Sequence, residues 1–274
     1  MCDRRSCGRP AGCQPAISVP ATQRRAFLRG LIALPLAAVL ASPRLARAAA
    51  ARLQKVTLQT ASGATVHAFL ATPQQVPAPA VVLIHEWWGL NDQIKAVAAE
   101  FAQHGFLALA VDLFGGNVAT TPEAARAQVA ALDAGRATET LVGWIAWLRQ
   151  HPSSTGKIGT VGWCFGGGWS LNVSLATPVD GTVIYYGDVR KTPEQLQRLR
   201  GPVLGHFATR DHWITADMVR AFTQAMAAAG KPVTVYWYDA EHAFANPTGA
   251  RYDAQDAQLA WSRTLAFFRQ HLGG

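Results

Sequence analysis

Residues 157–168 read KIGTVGWCFGGG, and this stretch decides how the fold is assigned. Residues 157–161 are predicted to form a short strand. The glycine-rich turn that follows leads directly into a helical pattern that ends near Ala176. A strand that turns at once into a helix is the repeating unit of a parallel α/β sheet.

The same alternation continues on both sides of this unit. Strands are predicted at residues 56–60, 66–71, 79–85, 106–111, 157–161, 181–186, 203–208 and 233–238. Helices are predicted at residues 92–104, 122–149, 165–176, 194–199, 216–229 and 254–271. Residues 49–274 are therefore expected to form one α/β domain, with a mostly parallel eight-stranded sheet and helices on both faces.

The net charge of +8 belongs almost entirely to the first 48 residues. These residues hold eight arginines and one acidic residue, so their net charge is +7, and residues 49–274 carry only +1. A basic face that binds nucleic acid is therefore not expected on the folded domain.

Residues 1–48 have the features of a twin-arginine-type signal peptide. Residues 23–29, QRRAFLR, resemble the twin-arginine motif, residues 31–41 are apolar, and Ala46-Arg47-Ala48 fits a cleavage site. The apolar stretch is short and contains Pro35, so no stable membrane span is expected. We expect the twin-arginine export machinery to recognise this leader, cleavage near Ala48 and a periplasmic protein. An uncleaved amphipathic anchor or tail is the alternative, and an upstream start codon would explain the long segment 1–22.

Cleavage near Ala48 would leave Cys164 as the single cysteine. A lone cysteine is usually a small buried hydrophobe, and it cannot form an internal disulfide. Here, however, residues 162–166 read GWCFG, which is the G-x-S-x-G nucleophile-elbow pattern with cysteine in place of serine. The two glycines allow a tight strand-to-helix turn, and the helix N-terminus favours a thiolate. We therefore interpret Cys164 as a nucleophile.

A nucleophile at this turn also predicts an oxyanion hole. The backbone N–H of Phe165, at the start of the helix, is one expected donor. The backbone N–H of Trp87, in the loop after the strand at residues 79–85, is the other.

Two later strands end in the residue types that such a nucleophile needs. Asp211 follows the strand at 203–208, and His242 follows the strand at 233–238. Because open α/β sheets build their sites at the carboxyl ends of strands, the three residues are expected to meet. His242 would take the thiol proton and later activate water, while Asp211 would fix the histidine tautomer.

Other residues compete for these roles. His206 lies within a strand and is expected to pack in the core, while His212 adjoins Asp211 and is poorly placed to face it. Asp239 and Glu241 flank the histidine and compete with Asp211, which could itself be only a turn or N-cap residue.

With these residues in place, the chain resembles the dienelactone hydrolase family of α/β-hydrolases. The matching segments are HEWWGLND at 85–92, VDLFGG at 111–116, GWCFGGG at 162–168, YYG at 185–187, HFATRD at 206–211 and EHAF at 241–244. The resemblance extends over about residues 53–272. It implies an α/β-hydrolase fold and a cysteine hydrolase that cleaves a small ester or lactone without a metal or organic cofactor. A small molecule is the expected substrate, and a monomer the expected state.

The resemblance also implies a role for Glu86, which in the family contacts the nucleophilic thiol and controls its ionisation. A capping or loop carboxylate is the alternative. Family members that act on dienelactone bind the substrate carboxylate with arginines, one of them shortly after the histidine, and Asn246 stands there in this chain. We therefore expect neutral and anionic substrates to be handled comparably, unless Arg126 or Arg210 replaces that arginine.

Aromatic residues near these motifs predict the substrate pocket. The expected pocket residues are Trp88, Trp213, Phe244 and Asn246, with Trp87 and Trp163 as further aromatic candidates. Some of these tryptophans are expected to belong to the core instead. Two other functions remain possible: an acyl or peptidyl thiol hydrolase on the same fold, and a catalytically idle α/β-hydrolase that serves as a binding or redox-sensing protein.

Overall fold

The computed structural model describes residues 42–273 and centres on one eight-stranded sheet of order β1-β2-β4-β3-β5-β6-β7-β8. The strands are β1 (Gln54–Gln59), β2 (Thr65–Ala71), β3 (Ala78–Ile84), β4 (Leu107–Val111), β5 (Ser154–Trp163), β6 (Gly181–Tyr185), β7 (Val203–Ala208) and β8 (Val233–Tyr238). The helices are α1 (Pro43–Ala50), α2 (Asp92–Gln103), α3 (Pro122–Ala130), α4 (Ala134–Gln150), α5 (Phe165–Ala176), α6 (Pro193–Leu196), α7 (Ala216–Ala228) and α8 (Ala254–Leu272).

The strand pairing confirms the predicted fold class. β1 and β2 form an antiparallel hairpin, and β2 pairs antiparallel with β4. The other pairs, from β4 through β3, β5, β6 and β7 to β8, are all parallel. The carboxyl ends of β3 and β5 to β8 therefore lie at one edge of the sheet.

Burial explains why the central strands read as continuous apolar runs. Every residue of β3, β4, β6 and β7 is buried, since helices cover both faces of the sheet. Side chains of α2 and α8 belong to the core on one face. Side chains of α4, α5 and α7 belong to the two core clusters on the other.

Two predicted helices differ from the structure. The pattern at residues 122–149 is two helices rather than one, because Asp133 caps a new helix by accepting a hydrogen bond from the backbone N–H of Arg136 at 2.8 Å. The helix predicted at 194–199 is a single turn, Pro193–Leu196, which begins with a capping box at Thr192.

The predicted twin-arginine motif and apolar stretch lie outside the described residues. The predicted cleavage site lies within α1, where Ala46 is buried in the core that includes α2 and Ala50 is also buried. Arg47 also forms an ion pair with Asp92 of α2 at 3.7 Å. Cleavage after Ala48 therefore requires α1 to open. Within residues 42–273, no helix combines the length and the apolar character that crossing a bilayer demands.

Candidate active site

The turn between β5 and α5 presents Cys164 at the carboxyl edge of the sheet. Cys164 has a φ of 53° and a ψ of −114°, so a residue with a Cβ adopts a sparsely populated positive-φ conformation, which costs about 1–3 kcal/mol. The two flanking glycines make the turn possible. A Cβ on Gly162 would lie 2.0 Å from the Gly166 carbonyl oxygen, and a Cβ on Gly166 would lie 2.1 Å from the Ile84 carbonyl oxygen.

The structure brings His242 and Asp211 to this turn as the strand order predicts. The thiol of Cys164 donates to Nε2 of His242 across 3.1 Å. Nδ1–H of His242 donates to Oδ2 of Asp211 across 2.6 Å. The three side chains come from the ends of β5, β7 and β8, and they form one continuous hydrogen-bonded chain.

Asp211 is held as a carboxylate in this chain. Burial acts to raise its pKa, but the hydrogen bond from His242 and the backbone N–H groups of Ile214 and Trp213 outweigh burial, and the pKa lies below its ordinary value. Oδ1 accepts those two N–H groups at 3.0 and 2.8 Å, which leaves Oδ2 for the histidine. An ionised Asp211 can therefore stabilise a protonated His242.

The thiol of Cys164 is protonated in this site, contrary to the expectation from its helix N-terminus. Burial raises its pKa to about 12, and the charge of Glu86 acts in the same direction. The backbone N–H of Phe165 favours the thiolate, as the sequence predicts, but the two opposing effects are larger. Cys164 therefore needs a base at the moment of reaction.

Glu86 is buried beside this group but hydrogen-bonds elsewhere. Oε2 of Glu86 accepts from the Asn246 amide at 2.6 Å, and Oε1 accepts from the Tyr186 hydroxyl at 3.5 Å. Within residues 42–273, no hydrogen bond joins Glu86 to Cys164, which differs from the contact that the family resemblance implies. Burial raises the pKa of Glu86, and the hydrogen bond from Asn246 opposes that effect.

The two expected oxyanion-hole donors are available. In the described part of the chain, no carbonyl or side chain accepts the backbone N–H of Trp87, while the backbone N–H of Phe165 faces the Cys164 sulfur and favours its ionised form. Two hydrogen bonds to its carbonyl groups fix the loop that carries Trp87. Gln128 of α3 donates to the Trp87 carbonyl at 2.5 Å, and Ala119 N–H donates to the Trp88 carbonyl at 2.8 Å. Both N–H groups can therefore be offered to a substrate oxygen.

His85 is a buried residue of this loop for which the sequence predicted no role. Its Nδ1 donates to the Glu86 carbonyl at 2.7 Å, and its Nε2 accepts from Leu113 N–H at 3.2 Å. Burial lowers the pKa of His85, so the neutral ring that this pairing requires is the stable form. His85 therefore ties the end of β3 to the end of β4 and positions Glu86. The clue in the sequence was a histidine at the end of an otherwise apolar strand.

The predicted pocket residues divide into two groups. Trp213 is 59% exposed and its ring meets that of His242 edge-on at 5.2 Å, so it can contact a substrate. Trp88 is half-buried against Trp87. Phe244 is fully buried, and Asn246 is buried against Glu86. Phe244 and Asn246 are therefore enclosed by neighbouring residues, because the loop after His242 turns them inward.

The two arginines proposed for a substrate carboxylate already have partners. Arg210 forms an ion pair with Asp239 at 2.5 Å. Arg126 forms one with Glu123 at 3.7 Å and lies 5.9 Å from the ring of Trp87. Neither arginine is among the charges that shift the pKa of the Cys164 thiol.

Arg251, which the sequence did not single out, is the cation whose charge reaches the site. Its guanidinium lies 5.1 Å from the ring centroid of Trp213. Its charge acts to lower the pKa values of both Cys164 and Glu86. Arg251 belongs to the loop between His242 and α8, and no sequence motif marks this loop.

The competing histidines and carboxylates lie away from the thiol. His206 is fully buried in β7, as predicted, and His212 is exposed. Asp239 pairs with Arg210, and Glu241 is exposed. Among the described side chains, no cluster of three or more His, Cys, Asp or Glu residues is placed to hold a metal ion.

Comparison with known proteins shows which family the chain belongs to. The model of the dienelactone hydrolase family matches residues 66–272. Carboxymethylenebutenolidase of Pseudomonas putida is 30% identical over 77% of this chain and 94% of its own length. Protein usf of Aquifex pyrophilus is 31% identical over 77% of this chain and 96% of its own length. The solved structure of the dienelactone hydrolase-like promiscuous phosphotriesterase P91, from metagenomic libraries, superposes with a TM-score of 0.73 at 22% identity, covering 81% of this chain and 99% of that one.

The fold is thus that of the α/β-hydrolases. The chain belongs to the dienelactone hydrolase family, and its enzyme class is that of the carboxylic-ester hydrolases.

Proposed function

We propose that the protein cleaves a small carboxylic ester or lactone with Cys164 as nucleophile, His242 as base and the Asp211 carboxylate as the group that orients His242. The observation that carries this proposal is the hydrogen-bonded chain from the thiol to Nε2 at 3.1 Å and from Nδ1 to the carboxylate at 2.6 Å. Nucleophile, base and orienting carboxylate in contact are the arrangement that acyl transfer needs.

The first half of the reaction forms a thioester. His242 Nε2 takes the proton from Cys164, and the sulfur attacks the carbonyl carbon of the substrate. The N–H groups of Trp87 and Phe165 stabilise the negative carbonyl oxygen. The bond from that carbon to the alcohol oxygen then breaks, and the leaving oxygen takes the proton from His242. In a lactone this oxygen stays attached to the acyl group.

The second half regenerates the thiol. His242 takes a proton from water, and the resulting hydroxide attacks the thioester carbon. The carbon–sulfur bond breaks, and sulfur recovers the proton from His242. The balance is one ester and one water consumed for one acid and one alcohol. Because the resting thiol has a pKa of about 12, this sequence begins with proton transfer and not from a free thiolate.

A hydrolysis panel tests the proposal. Dienelactones, aryl esters and uncharged lactones are compared for the wild type, Cys164→Ala and Cys164→Ser, with an acid-quench mass measurement for a covalent acyl adduct. We expect the alanine variant to keep its fold and lose essentially all hydrolysis, and the serine variant to be a poor substitute. Hydrolysis by the alanine variant above a few per cent of wild type would exclude Cys164 as nucleophile. No hydrolysis of any ester by the wild type would favour the idle, binding-protein alternative.

The environment of Asn246 refines the expectation about substrate charge. Asn246 donates to Glu86, so the substitution Asn246→Arg would remove that bond as well as add a cation, and it does not test substrate charge alone. The cation to test is Arg251, which is exposed. An exposed charge contributes about 0–1 kcal/mol to an ion pair, so we propose that neutral and carboxylate-bearing substrates are hydrolysed at comparable rates.

We also propose that the protein is exported to the periplasm by the twin-arginine machinery and cleaved near Ala48. The support is the sequence of residues 23–48 together with the concentration of positive charge there. Replacing Arg24 and Arg25 by lysine should leave the full-length chain in the cytoplasm, as fractionation and intact mass would show. Normal processing after that double substitution would point to the general secretory route, and an uncut wild-type chain would show that α1 remains part of the protein.

A further inference from the structure

Asn246 occupies a fixed position between the loop after His242 and the Glu86 carboxyl group. Its Oδ1 accepts from the backbone N–H of Thr248 at 3.0 Å and from the Thr248 hydroxyl at 2.7 Å. Two donors on the oxygen side determine the orientation of the amide, so its Nδ2 must face Glu86. The backbone reinforces this arrangement, because Asn246 N–H donates to the Ala243 carbonyl at 2.9 Å and Gly249 N–H to the Asn246 carbonyl at 3.0 Å.

The turn that delivers Asn246 begins next to the histidine. Ala243 has a φ of 66°, in the left-handed region, and so reverses the chain immediately after His242. The imidazole and the Asn246 amide consequently reach the same site from one short loop. Phe244, between them, is fully buried and packs against Tyr186 and Tyr238, which holds the loop in place.

Glu86 is surrounded by groups that respond to its charge. Asn246 and Tyr186 hydrogen-bond to its two oxygens. His242 and Arg251 act on it through their charges, and Cys164 lies close enough for the carboxylate to oppose ionisation of the thiol. If the Glu86 carboxylate were free to rotate, it could accept the proton of the Cys164 thiol. The short hydrogen bond from Asn246 prevents that rotation.

We propose that Asn246 is a positioning residue that holds the Glu86 carboxylate on the loop side of the site, so that Glu86 acts on Cys164 through its charge and does not accept the thiol proton. His242 is then left as the group that deprotonates the nucleophile. The proposal rests on the function proposed above in taking Cys164 as nucleophile, but its test reads the state of the thiol and needs no substrate.

The physical consequence is a coupling from Asn246 through Glu86 to the thiol. The hydrogen bond from Asn246 favours the ionised form of Glu86, while burial favours the neutral form. Burial already raises the pKa of Glu86, and without the bond the pKa rises further, so Glu86 carries less negative charge. The pKa of Cys164, which that charge helps to raise, should then fall.

The experiment measures the rate of iodoacetamide alkylation of Cys164 from pH 6 to pH 10 by intact mass. For Asn246→Ala we expect alkylation near pH 8 to be about threefold to tenfold faster than in the wild type, since one pKa unit changes the thiolate fraction about tenfold. In the Glu86→Gln background the same substitution should leave the profile unchanged. An Asn246→Ala profile equal to that of the wild type overturns the proposal, and so does an equal shift in the Glu86→Gln background.

Thr248→Val is the companion variant if Asn246→Ala does not fold. It removes the hydroxyl that orients the amide and keeps the backbone N–H, so a shift in the same direction but smaller is expected, and no shift overturns the proposal. A purely structural role would lower the unfolding temperature without moving the alkylation profile. Ester hydrolysis by Cys164→Ala would refute the proposed function and leave the alkylation result standing.

Discussion

Two buried histidines lie beside β7 and β8, and they have opposite surroundings. His242 follows β8, where it donates to the Asp211 carboxylate and accepts from the Cys164 thiol. His206 lies inside β7, where its two ring nitrogens meet the hydroxyl groups of Tyr238 and Thr264 at 2.8 and 3.0 Å. Both rings use both nitrogens, so hydrogen-bond count does not distinguish them.

The charge around each ring does distinguish them. Burial and, to a smaller extent, the charge of Arg263 lower the pKa of His206 to about 3, since its hydroxyl partners cannot compensate a positive charge. His242 instead faces an ionised aspartate, which stabilises the imidazolium that forms when the thiol loses its proton. A histidine that must accept a proton is therefore recognised by its partners and not by its burial.

The largest expected difference between the two histidines is in catalysis. His242→Gln should lower kcat/KM for an ester by about 10²- to 10⁴-fold, the range that a general base contributes. The matched control is His206→Gln, which removes a histidine from the neighbouring strand. It should change kcat/KM less than about tenfold when measured on folded protein, since no proton moves there. Equal losses for the two variants would show that the partners of each ring do not determine its role.

The carboxylate beside His242 is expected to matter nearly as much. Asp211→Asn keeps the shape of the side chain but removes the charge and offers a donor to Nδ1, so the wrong tautomer is favoured. We expect kcat to fall by roughly 10²- to 10⁴-fold with little change in KM. Steady-state kinetics on one aryl ester is sufficient to measure this. Asp239→Asn, a surface carboxylate whose partner is Arg210, serves as the control and should behave like the wild type.

The polar cluster around His206 should instead control stability. His206→Gln should lower the free energy of unfolding by about 1–3 kcal/mol at pH 7, because it leaves Tyr238 or Thr264 poorly paired. Urea unfolding followed by tryptophan fluorescence measures this change. A variant as stable as the wild type would mean that these buried hydroxyls find other partners.

The same cluster predicts a pH dependence. The pKa of His206 is lowered from 6.5 to about 3 on folding, so the unfolded chain binds the proton more tightly. The stability contributed by this residue is therefore complete above pH 6.5 and is lost as the pH falls toward 3. Between pH 7 and pH 5 the loss is about 2 kcal/mol, and His206→Gln should lack this component. Unfolding curves of both proteins at the two pH values test it, and parallel losses in both would contradict it.

The smallest expected effect comes from Arg251, the arginine near His242. Arg263 is partly buried, with its guanidinium 3.8 Å from the centroid of Tyr236, whereas Arg251 is exposed over Trp213. Arg251→Ala should therefore reduce kcat/KM for a carboxylate-bearing lactone by less than about fivefold, and that for a neutral lactone hardly at all. A larger selective loss would show that Arg251 binds the substrate carboxylate directly. Arg210→Ala is the control that should leave both rates unchanged.

The sheet was predictable because its strands and turns have local patterns. β7 and β8 match their predicted bounds, and β3 differs by one residue at each end. The exceptions have local causes too: Asp133 divides the long helical pattern by acting as an N-cap, which the apolar periodicity on either side obscured. Helix periodicity alone does not show where a polar cap interrupts it.

The amino-acid sequence alone predicted the α/β fold from the alternation of strands and helices. It also predicted the elbow at Cys164 and the order in which Asp211 and His242 follow it, since each depends on a short pattern at the end of a strand. Tertiary structure decided the rest. Glu86 and Asn246 are 160 positions apart in the sequence, yet they share a 2.6 Å hydrogen bond, and Arg251 reaches the site from a loop without a motif. The raised pKa of the thiol likewise comes from burial and a neighbouring charge. Burial, loop direction and distances between charges arise only when separate segments pack together, and no local pattern encodes them.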